Sequence, residues 1–118
     1  MSEFDRPPGK TTIAPEALMS IVQLTTLSVP GVSGLPRMPG SMRRMLSRGA
    51  GDGVNIYVED DVVHADLYVI IHRDRNVRRA CRTIQREVAR AISKMVGMEV
   101  GRLNIHVEGI DFGEGTTL

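Results

Sequence analysis

A single cysteine, Cys81, stands in a chain of 118 residues. No intrachain disulfide and no cysteine-built metal cluster can form, and a reducing compartment fits this usage best. Tryptophan is absent, and two Phe and two Tyr are the only aromatics, so the stacking platforms of sequence-tolerant nucleic-acid binders are almost missing. No apolar run approaches the roughly 20 residues needed to span a bilayer, and residues 1–8 lack the apolar core of a secretory signal. These absences predict a cytoplasmic protein that does not insert into a membrane and meets one only through a partner. The glycine-rich stretches at 31–34 and 49–53 have neither P-loop nor dinucleotide-site spacing, and no cofactor is expected.

What is present reads as one α+β domain over 9–112, between flexible tails at 1–8 and 113–118. Lys10 to Ala14 are predicted to form a first strand. Pro15 at a first helical position and Glu16 in the first turn then open a helix over 15–28, with Ala17, Leu18, Ile21, Val22, Leu24 and Thr25 as a broad apolar face. Pro30-Gly31 stops it. An irregular connection follows, with a turn or two of helix at 41–47. Val54, Ile56 and Val58 alternate with polar neighbours, Asp60-Asp61 makes a turn, and Val63, Ala65, Leu67, Val69 and Ile71 supply the buried face of the returning strand. From Asn76 to Val96, the residues Val77, Ala80, Cys81, Ile84, Val88, Ala91, Ile92 and Met95 fall on one helical stripe, ended by Gly97. A last strand spans about 100–110, with Leu103, Ile105 and Val107 inward. The order is β-α-β-β-α-β, which implies two layers with both helices on one face of a four-stranded sheet.

Charge is segregated. The net charge is +1, yet residues 37–48 and 73–94 together carry +10 and the rest of the chain −9. Arg75, Arg79, Arg82, Arg86 and Arg90 line up opposite the apolar stripe, with Arg43 and Arg44 in the preceding connection. This face is either solvated helix surface or a contact for an anionic partner: an acidic protein, an anionic lipid or, nonspecifically, nucleic acid. The second candidate is the open face of the sheet. Alternation places His64, Asp66 and His72 on one strand face and Asn104, His106 and Glu108 on another. His64, Asp66, His106 and Glu108 are residue types that serve as metal ligands or acid–base groups, although any solvated strand face alternates in this way. Cys81, on the apolar stripe, reads as a small core residue.

The segments Gly9–Leu18, Pro30-Gly31-Val32, Asp66–Ile71 and Leu103–Phe112, in this order, resemble the alkaline shock protein family of bacterial envelope-stress proteins. The matching positions are Lys10, Ile13, Pro15, Glu16, Gly31, Val32, Asp66, Leu67, Tyr68, Val69, Val107 and Gly109, which look like fold-holding positions. The resemblance implies a non-enzymatic cytoplasmic adaptor or scaffold in envelope homeostasis. It also implies a homo-oligomer that reaches the membrane by binding a membrane protein, with no catalytic residues to carry over. The arginine-loaded helix departs from the acidic character common in that family.

Overall fold

The computed structural model describes residues 8–9, 12–37, 50–113 and 116–117. Helix α1 spans Pro15–Leu27, with the proline at its start. Strand β1, Val32–Gly34, follows it, then β2 (Ala50–Gly51), β3 (Val54–Glu59) and β4 (Val62–His72). Helix α2 runs Val77–Ala91 and continues as a π-helical turn at Ile92–Val96; β5 (Glu99–Gly113) and β6 (Thr116–Thr117) complete the chain. The architecture is α+β in two layers, as the periodicities predict.

Strand β4 organises the sheet. Its first half pairs antiparallel with β3 through the Asp60-Asp61 turn, and Ile70 and Ile71 pair with β1. Its other edge pairs in parallel with β5 from Val62↔Glu99 to His72↔Asp111. The strand order is β2-β3-β4-β5-β6, with β1 on β4. The alternate side chains Val63, Ala65, Leu67, Val69 and Ile71 are each 2% exposed or less. Leu18 and Val22 of α1 and Ala80, Ile84, Val88 and Ile92 of the second helix close over them in one cluster. Each such Val, Leu or Ile burial contributes on the order of 1.5–3 kcal/mol. Both helices therefore lie on one sheet face, and the opposite face stays open.

Three expectations need correction. Thr12, Ile13 and Ala14, the described part of the expected first strand, are unpaired; Lys10 and Thr11 lie outside the described residues, as do the 41–47 helix, Arg43 and Arg44. A short strand follows α1 instead, because Val32 and Gly34 find the free edge of β4 beyond the end of β3. The apolar face of α1 is narrower than its composition suggests: Leu18, Val22 and Thr26, one turn apart, are buried, whereas Leu24 and Leu27 are exposed. Met95 is 70% exposed despite its place in the stripe. The π turn advances the helix more slowly than 100° per residue, so Val96 packs on the core instead. Gly97 then stops the helix in the left-handed region at φ 75°, its N–H reaching the Ile92 and Ser93 carbonyls.

Asp60 and Asp61 both have positive φ, 53° and 62°, which is the type I′ geometry that matches strand twist and favours Asn-Gly or Asp-Gly. Asp61→Gly removes the Cβ penalty at the second position. It is expected to raise Tm by a few degrees, about 0.5 kcal/mol, in a thermal melt followed by circular dichroism.

Candidate functional site

The arginine face is set by the start of α2. Asn76 caps the helix, its Oδ1 accepting from the Arg79 backbone N–H at 2.9 Å, and no acid occupies the first turn. Arg75 is held just ahead of the cap: its N–H donates to the His72 carbonyl at 3.1 Å, and its side-chain stem passes under Gly31. A Cβ on Gly31 would lie 3.1 Å from Arg75 Cγ, so that glycine permits the approach. Arg75, Arg79, Arg82, Arg86 and Arg90 are all exposed, as predicted from spacing. Of these five arginines only Arg86 forms an ion pair with a described residue, at 3.7 Å to its neighbour Glu87, a contact worth little in solvent.

Two adjoining grooves run along this face. One, of about 370 Å³, is lined by Asn76, Arg78, Arg79, Arg82, Thr83 and Arg86. The other, of about 500 Å³, extends from Arg79 and Thr83 past Arg75 and Asp74 to Pro30. Arg90 lies further along the helix and lines neither. Arg78 belongs to the first groove although spacing alone did not select it; its adjacency to Arg79 at the helix start was the available signal. The positive end of the helix dipole and the guanidinium groups that line the grooves thus share one region, an arrangement that attracts anions.

The open sheet face has a different character. Asp66 Oδ1 accepts from Asn104 Nδ2 at 3.2 Å and lies 3.1 Å from His106 Nε2. The His106 ring stacks on Tyr68 with centroids 4.7 Å apart, and His64 stacks on Tyr57 at 4.9 Å. His64 Nδ1 accepts from the Arg102 backbone N–H at 3.0 Å, and the Arg102 guanidinium donates to the Tyr57 hydroxyl. A Cβ on Gly101 would strike the His64 ring, so any side chain there would displace that ring. Asp66 and His106 come together as alternation predicted, but His64 is turned to Tyr57 and Arg102. Glu108 falls in a bulge of β5 with no Cα partner on β4. Among the described residues no three His, Cys, Asp or Glu side chains are grouped to hold a metal ion. The face is a set of satisfied cross-strand pairs. Burial raises the Cys81 thiol above its ordinary pKa, which keeps it a poor nucleophile.

Asp111 closes the far end of this face. Ser33 Oγ donates to its Oδ2, tying β1 to β5 across β4, and the Gly113 N–H donates to Oδ1 at 2.8 Å. The Ser33 hydroxyl first, then the Gly113 amide and nearby His72, hold this carboxyl below the ordinary carboxylate value. Its stabilising contribution is therefore present above about pH 4 and is lost as pH falls through the depressed value. Asp111→Asn is expected to lower the urea midpoint by a constant amount above about pH 5. That gap should close as the pH is taken below about 4 in a series of urea melts.

No helix among the described residues is long and apolar enough to cross a membrane. In fold, the chain is similar to the MamM CTD solved in a copper form (TM-score 0.58, 16% identity, 86% of this chain and 90% of that one). It is equally similar to a zinc form of the D249E variant of that domain (TM-score 0.58, 16% identity, 86% and 91%). Among sequences, the uncharacterized protein Spy1535 of Streptococcus pyogenes is 33% identical over 105 residues, covering 86% of this chain and 79% of the relative. YqhY of Bacillus subtilis, also uncharacterized, is 25% identical over 114 residues, covering 95% and 84%. The model of the alkaline shock protein family, described as having a "cell envelope-related function", matches residues 3–112. That match makes this chain a member of the alkaline shock protein family, whose function is related to the cell envelope.

Proposed function

We propose that this protein is a non-catalytic, cytoplasmic adaptor of the bacterial cell envelope that self-associates and holds an acidic partner protein on the arginine face of α2. The observation that carries this reading is the row of exposed guanidinium groups along α2, of which only Arg86 has an ion-pair partner among the described residues and which begins at a first helical turn without an acid. Such a row is unfavourable for the helix itself. Positive charge at a helix N-terminus opposes the macrodipole, by about 0.3–1 kcal/mol per group at low salt. A folded chain that keeps Arg75, Arg78 and Arg79 there carries a cost that an anionic partner would relieve. Arginine also suits bidentate pairing with carboxylates. On the open sheet face Asp66 bonds Asn104 and His106, and among the described residues no three metal-ligating side chains are grouped.

The test is affinity capture from a nuclease-treated, detergent-solubilised lysate of the native host, with the wild type compared against Arg79/Arg82/Arg86→Glu. Recovery of an acidic envelope protein by the wild type, lost in the variant and lost at high salt, is the expected outcome. Equal recovery by both would move the interface off this face. Recovery of ribonucleoprotein or lipid alone would contradict the adaptor reading. Misfolding is controlled by Arg79→Glu alone: a glutamate three residues after the Asn76 cap completes a capping box. That single variant is expected to gain a few degrees of Tm, from about 0.5 kcal/mol, while it loses partner.

A further inference from the structure

Strand β5 has a long free edge. It pairs with β4 on one side, whereas on the other only Asp111 and Gly113 are taken, by β6; among the described residues nothing pairs with that edge from Glu99 to Ile110. The edge carries neither Pro nor Lys, the usual guards against pairing with another chain. Its outward polar groups can be identified, because the Leu103 carbonyl accepts Gln85 Nε2 at 3.0 Å and so faces away from β4. By alternation, Ile105 and Val107 turn their N–H and C=O groups the same way. The apolar side of the strand is also incompletely covered. Where the core side chains of β4 are sealed, their β5 counterparts Val100, Leu103, Ile105 and Ile110 are only partly buried, and Val107 is 36% exposed.

The edge is self-complementary. Laid antiparallel to a second copy about Ile105, it sets Leu103 against Val107, Val100 against Ile110 and Ile105 against itself, all on the core side. Asn104 meets His106 on the open side. The two β5 bulges, at Gly101-Arg102 and at Glu108, sit symmetrically about Ile105, so each bulge faces the other type across the seam. That brings Arg102 of one copy to Glu108 of the next, twice, as opposite charges in facing positions, and Gly101 to Gly109. Strand β6 ends the free edge at Asp111 and so keeps the one unfavourable match, Glu99 against Asp111, out of the seam.

We infer that two copies of this chain join edge to edge through β5 about a two-fold axis at Ile105, forming one continuous sheet across the dimer. A symmetric, isologous contact of this kind closes on itself and adds no further copies. The Leu103 carbonyl exchanges its Gln85 side-chain donor for a backbone N–H of the second copy. The inference rests on the self-associating part of the proposed function and names its interface.

Analytical ultracentrifugation of the full chain tests it, with Arg102→Glu and Glu108→Arg variants examined singly and as an equimolar mixture. The wild type is expected to dimerise. Each single reversal sets like charges opposite each other in both facing pairs, and should weaken the dimer by about tenfold or more. The mixture restores both opposite-charge pairs only in the heterodimer, so heterodimers should form at close to wild-type affinity and be resolved by mass in native mass spectrometry. A wild type that stays monomeric at the highest accessible concentration would overturn self-association and the interface together. A wild-type dimer unaffected by either reversal, with no preference for heterodimer on mixing, would leave self-association standing and overturn this edge as its site.

Discussion

Strand β4 is hydrogen-bonded along both edges and sealed on one face, and every other element takes its place from that. Five side chains at alternate positions, none more than 2% exposed, commit one face of the sheet to both helices. The parallel partner on the other side requires a crossover, and the crossover is α2. Since α2 must return over the sheet from the His72 end of β4, its N-terminus, with Arg75, Arg78 and Arg79, lies at that end and Arg82, Arg86 and Arg90 follow along the helix, while the Asp60-Asp61 turn lies at the other. The charge segregation of the sequence thus becomes a spatial one.

Two surfaces left over from this arrangement differ in how well they are satisfied. On the open sheet face, the polar groups that alternation places there have neighbours: Asp66 with Asn104 and His106, His64 with Tyr57 and the Arg102 amide, Asp111 with Ser33 and Gly113. On the arginine face the reverse holds. The guanidinium groups project beside a positive helix end, with grooves between them and a single weak pair at Arg86 among the described residues. Polar groups with partners tend to hold a structure together, whereas unpartnered like charges raise its energy until something binds them. This contrast, rather than the presence of histidines, separates the surface suited to a partner from the one that stiffens the sheet.

Much of this was legible in residue order. Period-two alternation in Val63–Ile71 and Leu103–Val107 and the 3.6-residue stripe from Ala80 to Ile92 specify their elements and inward faces, because burial on one side leaves little freedom of register. The arginine row followed from the same periodicity. What escaped depends on distant contacts or small backbone irregularities. The Val32–Gly34 strand is too short to show a period and exists because β4 outruns β3. The π turn that exposes Met95 and buries Val96 leaves no mark in a helical stripe. The β5 bulges at Arg102 and Glu108 break an alternation that looks continuous on paper, so the apparent set of His64, Asp66, His106 and Glu108 does not assemble. Arg78 joined the groove through its place at the helix start, which a stripe drawn at spacings of three and four passes over.

Hydrogen–deuterium exchange of the full chain, alone and in the complex recovered by affinity capture, tests the separation of these surfaces most directly. Slowed exchange on complex formation over residues 74–86, with β3 and the open face of β4 unchanged, is the result this account predicts. Slowing confined to 55–68, with 74–86 exchanging as in the free protein, would contradict it and place the partner on the stacked Tyr and His side chains instead.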